Sequence, residues 1–144
     1  MKISTQTRFA IRFLLELRKS QVDDMPITIS QVATKQGISN AYLESIATKL
    51  RKHGYIKSYR GPGGGYLFAR PVEDITLGEI MRLMESTYYQ VHCVNNPEES
   101  CVNYDNCLLA DAWENLEDGI DDIVNNIKLS RFIEDKKTSN IYTL

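Results

Sequence analysis

Phe9, Ala10, Phe13, Leu14 and Leu17 recur at steps of three and four across residues 2–19, with charges between them, which predicts an amphipathic helix. A loop over 20–27 carries Pro26, and a shorter helix is expected from Ser30 to Gln36 with Ile29, Val32 and Ala33 inward. Gly37-Ile38-Ser39 then reads as a tight turn. Beyond it, Leu43, Ile46, Ala47 and Leu50 give a third helix its buried face, with Ser39 placed to cap it and Gly54 placed to stop it. Two helices joined by a glycine-containing turn form a helix-turn-helix. The pattern then turns strand-like over residues 55–60 and 66–70, around Gly61-Pro62-Gly63-Gly64-Gly65, which predicts a hairpin. The fold expected is mainly α with a small β-hairpin wing, a winged helix-turn-helix whose third helix enters the major groove.

Pro71 opens a linker, and Thr76 with Glu79 three residues on makes a capping box for a helix running to about Glu85, with Ile80, Leu83 and Met84 inward. From Ser86 to Asn106 no periodicity survives, and loops of that length are usually functional or disordered. Leu109, Trp113, Leu116, Ile120, Ile123 and Ile127 then step by four and three, a heptad seam with Asp111, Glu114, Glu117, Asp118, Asp121 and Asp122 outside it. That seam either packs on the domain's own core or pairs with the same helix of a second copy, and its length on a small basic domain favours a homodimer. The expected organisation is a winged domain over 1–85, a cysteine-bearing loop over 86–107, a dimerisation helix over 108–135 and a frayed tail over 136–144.

Charge sharpens this picture. Residues 1–70 hold 12 Lys/Arg against 4 Asp/Glu, a net of +8, whereas residues 71–144 hold 5 against 15, a net of −10. Such polarity fits one half facing double-stranded DNA and another facing elsewhere, the plain alternative being two solvated faces of opposite sign. On the predicted helix and hairpin, Lys49, Arg51, Lys52, Lys57, Arg60 and Arg70 face outward against one acid, Glu44. The N-terminal apolar run is too short and too charged for a signal peptide or membrane span, so a cytoplasmic protein without membrane contact is expected. His53 and His92 are the only histidines and no His/Asp/Ser constellation is present, so no enzyme is expected.

The glycine-rich tip is not a phosphate-cradling loop, which needs Lys-Ser/Thr and a helix directly afterwards; Tyr66-Leu67-Phe68 follow instead. As a wing, Gly61, Gly63 and Gly64 let the backbone approach DNA closely and Arg60 is placed to enter the narrow, negative minor groove. A plain hairpin turn is the alternative. On the recognition helix, Ser39, Tyr42 and Lys49 suit phosphate oxygens, and Asn40 and Ser45 are further candidate contacts. Glu44 is repelled by phosphates, so it is either a reader of the cytosine amine in the major groove or a solvated charge.

Cys93, Cys101 and Cys107 are separated by seven and five residues. An odd number argues against a disulfide framework, and structural zinc prefers C-x-x-C knuckles, which are absent. An iron–sulfur cluster (2Fe–2S or 4Fe–4S), zinc and free thiols all stay open on spacing alone. His92 could complete a site, though it adjoins Cys93.

The run A-Y-L-E-S-I-A-T-K-L-R-K-H-G-Y-I-K-S-Y-R-G-P-G-G-G-Y-L-F-A-R resembles the core of the IscR-type iron–sulfur cluster regulators, in which a winged helix-turn-helix joins a long dimerisation helix. The likeness extends from M-K-I-S-T-Q-T-R-F-A through D-A-W-E-N-L to N-N-I-K-L-S. It implies that Cys93, Cys101 and Cys107 ligate a cluster, that Glu44 discriminates among DNA sites and that Arg60 enters the minor groove. The chain departs from the family at the fourth ligand: Ala110 stands where some members have histidine, and Arg8 where others have an acidic residue. Asp105, His92, a residue of a partner chain, or a small thiol or water are the alternatives. The function implied is a homodimeric transcription regulator on a palindromic operator, sensing redox, nitric oxide or iron–sulfur status. Sensing through free thiols or zinc is the alternative, and a protein-interaction module using the acidic helix is a further one.

Overall fold

In a computed structural model of the chain, residues 3–20, 25–85, 92–95, 101 and 103–134 are described. The first helix, α1 (Thr5–Ser20), leaves Ile3 and Ser4 outside because the Ser4 hydroxyl accepts the Thr7 N–H at 3.2 Å, an N-cap that fixes where the helix starts. Ala10, Phe13, Leu14 and Leu17 are fully buried, as their spacing predicts. Thr28 caps α2 (Ile29–Gln36) through a capping box with Gln31, so this helix starts one residue before Ser30. Gly37 ends it in the left-handed conformation (φ 65°) and passes the chain to α3 (Asn40–Lys52), which Ser39 caps through the Tyr42 N–H. Leu43, Ile46, Ala47 and Leu50 close α3 over the same core.

Two short strands, β1 (Ile56–Tyr59) and β2 (Gly65–Phe68), pair antiparallel with Ile56 opposite Phe68 and Tyr59 opposite Gly65. The hairpin is anchored rather than projecting freely. Ile27 and Tyr66 exchange backbone hydrogen bonds of 3.1 and 2.8 Å, which adds one residue of a third strand. Gly65 permits that approach, since a Cβ there would lie 2.5 Å from the Ile27 carbonyl oxygen. Arg70 corrects the expectation of an outward basic residue. Its guanidinium lies 4.4 Å from the Tyr55 ring centre and donates to Glu79 at 2.7 Å, so it ties the hairpin to the next helix.

That next helix, α4 (Leu77–Met84), is capped by Thr76 and Glu79 and packs between α1 and the long acidic helix α6 (Ala110–Asn126). A short turn, α5 (His92–Asn95), also packs on α6. The long helix is shorter than the 108–135 expected. It ends at Asn126, and the chain returns to the winged domain: Leu77 N–H donates to the Ile127 carbonyl at 2.8 Å, Leu129 N–H to the Ile75 carbonyl at 2.9 Å, and the Leu129 side chain is fully buried. A last turn, α7 (Arg131–Glu134), rests on α1. The expected tail at 136–144 and, within the expected loop over 86–107, residues 86–91, 96–100 and 102 lie outside the described residues.

The heptad seam divides between residues packed on the domain's own core and residues that stay exposed. Ile120 and the adjacent Val124 pack on Leu77 and Met81 of α4, and Gly78 makes room, because a Cβ there would strike the Asn125 side chain. Leu109, Trp113, Leu116 and Ile123 instead stay exposed, between 37% and 64%. Of the acids flanking them, Asp121 is taken by Arg82 at 2.8 Å and Glu114 by the Tyr104 hydroxyl at 2.6 Å.

Candidate nucleic-acid interface and cysteine segment

The third helix ends on Lys49, Arg51 and Lys52, all exposed, where positive charge also complements the helix dipole. Lys57 and Arg60 extend this basic surface along the exposed edge of the hairpin. At the tip, Gly61 and Gly63 are exposed, and Gly64 folds tightly beneath them, its N–H donating to the Gly61 carbonyl at 2.9 Å. A Cβ on Gly64 would strike the Tyr59 carbonyl oxygen, so this turn admits no side chain there.

The predicted contact residues of α3 divide by what already holds them. Ser39 and Asn40 are exposed at the helix start, the Ser39 hydroxyl accepting the cap hydrogen bond. Tyr42 is half-buried and meets the Phe9 ring edge-on, with centres 5.9 Å apart. Ser45 donates its hydroxyl to the Tyr42 carbonyl at 2.7 Å, and Lys49 reaches across to Gln6 of α1 at 3.1 Å. Both stay exposed, so DNA could compete for them.

Glu44 is neither simply solvated nor simply free to read a base. One of its carboxylate oxygens accepts the Tyr66 hydroxyl at 2.7 Å, joining the recognition helix to the first residues of β2. Burial and the Glu44 hydrogen bond push the Tyr66 phenol up to about 12, so it donates throughout the physiological range. Nothing in the sequence singles out this contact of Tyr66 with Glu44. The place of Tyr66 in a strand pattern marks it as half-buried, but nothing local pairs it with a residue 22 positions away.

Cys93 sits in α5, while Cys101 and Cys107 flank a 3₁₀ turn (Tyr104–Asn106) held by Tyr104 N–H to the Cys101 carbonyl and Cys107 N–H to the Tyr104 carbonyl. All three thiols are free and half-buried. The Tyr104 phenol is pushed up to about 12, first by its hydrogen bond to Glu114, and the charges of Cys93 and Cys107 add to that. Three soft donors between residues 93 and 107 are the residue type that iron–sulfur chemistry uses, although among the described residues no three metal-ligating side chains are gathered to coordination distance. Asp105, a candidate fourth ligand, is exposed within the 3₁₀ turn, whereas Ala110, which opens α6, offers no ligating atom. Arg8 is held by Thr5 at 3.1 Å. Among the described residues no helix is long and apolar enough to cross a membrane.

A model of the Rrf2 family, described as an iron-dependent transcriptional regulator, matches residues 3–135. The HTH-type transcriptional regulator IscR of Pectobacterium atrosepticum is 32% identical over 141 residues, covering 98% of this chain and 84% of that relative. Among solved structures, T. potens IscR superposes with a TM-score of 0.74 at 26% identity, covering 100% of this chain and 94% of that one. CymR, the global cysteine regulator of B. subtilis, superposes with a TM-score of 0.72 at 26% identity, covering 93% and 97%. These relatives are regulators rather than enzymes.

Proposed function

The chain belongs to the Rrf2 family of transcriptional regulators, DNA-binding proteins, and we propose that it is a homodimer on a palindromic operator that senses redox, nitric oxide or iron–sulfur status through a cluster held by Cys93, Cys101 and Cys107. The observation that carries this reading is where the cysteines lie in the chain. They join α4, which is packed on α1, to α6, whose outer seam is exposed. A change in that segment bears on the angle between α6 and the winged domain. A dimer reads two half-sites at a fixed spacing, so a small change of angle is felt at both. Coupling of about 1–3 kcal/mol is enough for a regulatory response.

On the DNA side, Asn40 and Glu44 stand one helical turn apart near the start of α3, where recognition helices address base edges. Ser39, Tyr42, Ser45 and Lys49 address phosphates, the last two exchanging their present partners for them. Gly61, Gly63 and Gly64 bring the wing backbone close and Arg60 enters the minor groove. The cluster supplies reversible electron transfer and sensitivity to oxidants when bound.

An anaerobic visible spectrum with iron and sulfide analysis tests the cofactor. Visible absorbance with matching iron and sulfide is expected. A colourless protein that resists anaerobic reconstitution would sink the cluster, and the free, half-buried thiols would then be the sensor themselves or zinc ligands.

A further inference from the structure

Tyr66 is fixed from three directions. Its backbone exchanges two hydrogen bonds with Ile27, its ring meets Phe13 edge-on with centres 6.1 Å apart, and its hydroxyl donates to Glu44 at 2.7 Å. Glu44 itself is exposed on α3 and has no comparable packing. A glutamate on an open helix surface samples several rotamers and can swing away from a phosphate or a mismatched base at little cost. Tied to an immobile phenol, the carboxylate loses that escape unless a hydrogen bond to a charged group is first broken.

We propose that Tyr66, on the wing strand, is a positioning residue for base selection: it holds the Glu44 carboxylate in one orientation over the major groove and so sharpens the discrimination made by the recognition helix. This rests on the DNA-reading role proposed for Glu44. Its physical content is a division of labour within the wing. The tip addresses the backbone and minor groove, while Tyr66 at the start of β2 sets the stiffness of the one acidic side chain on α3. The raised Tyr66 pKa agrees with a phenol that stays protonated while it donates. The second carboxylate oxygen is left to accept from the exocyclic amine of a cytosine, so operators offering that donor satisfy Glu44 without breaking the Tyr66 bond.

The test uses the full chain and a randomised duplex library, with wild type, Tyr66→Phe, Glu44→Ala and the double variant compared at fixed salt. Tyr66→Phe removes only the hydroxyl; the ring contact with Phe13 and the backbone bridge to Ile27 remain, so an unchanged thermal midpoint is expected. The base preference lost in Glu44→Ala should fall roughly tenfold in Tyr66→Phe. No further change should follow when Tyr66→Phe is added to Glu44→Ala. Full preference retained in Tyr66→Phe, or an equal shift in the Glu44→Ala background, overturns the positioning role while leaving DNA binding intact. An unaltered preference in Glu44→Ala also overturns it. Absence of salt-sensitive duplex binding by wild type would instead defeat the DNA reading beneath it.

Discussion

Ile123 offers the sharpest perturbation of the proposed dimer. It lies on the seam of α6, is 64% exposed and takes no part in the cluster formed by Met81, Val124, Leu77 and Ile120. Full burial of such a side chain is worth about 1.5–3 kcal/mol. Nearly two-thirds of its surface is still available, so about 1–2 kcal/mol is to be gained per protomer on pairing. A two-fold interface presents the residue twice, so Ile123→Glu should cost about 2–4 kcal/mol, roughly 30- to 1,000-fold in the dimer dissociation constant. Repulsion between the carboxylates and their desolvation add to this. Sedimentation across a concentration series reads the constant, and circular dichroism shows that α6 is retained. An unchanged dissociation constant with an intact helix would refute the seam as the dimer contact.

Further outcomes follow from other contacts. Leu129→Ala empties a fully buried position where the chain returns from α6, and should cost about 2–5 kcal/mol in urea unfolding. A loss below 1 kcal/mol would mean that residues 127–129 do not hold the two parts together. Burial pushes the Glu79 carboxyl up, but the Thr76 N–H and Arg70 outweigh it and hold it below its ordinary value of 4.5. A lowered folded pKa contributes stability above the unfolded value, lost as pH falls through the folded one. Wild type should therefore lose stability below about pH 4.5 by a component absent from Glu79→Gln, and identical acid limbs of the two proteins would contradict this. Arg60→Ala should weaken operator binding by about 1–3 kcal/mol and make its salt dependence shallower, both read by fluorescence anisotropy; full affinity would remove Arg60 from the interface.

The parts of the fold legible in the sequence are those set by neighbours in the chain. Ser39 before α3, the Thr76–Glu79 box and the fully buried Phe13, Leu14 and Leu17 all express periodicity or capping within a few residues. Ile127 shows where that logic ends. It continues the heptad step, yet the helix stops before it because its carbonyl is claimed by the Leu77 N–H, 50 positions back in the chain. Periodicity cannot see such a bond. Arg70 was misread for the same reason, since its place on a basic hairpin says nothing of Glu79 and Tyr55 drawing it inward. At the candidate site, residue types gave the basic surface and the three thiols. The partners that restrain Glu44, Ser45 and Lys49 came only with the folded chain.

The central claim is that the state of the cysteine segment controls affinity for DNA. The direct measurement is anaerobic titration of one operator duplex, selected by wild type, with reconstituted protein and with the same protein stripped by a chelator. Dissociation constants differing by at least about fivefold are expected, with the difference abolished in a Cys93→Ser, Cys101→Ser, Cys107→Ser variant. Equal constants for the two forms, with visible absorbance confirming that only one carries a cluster, would contradict the claim.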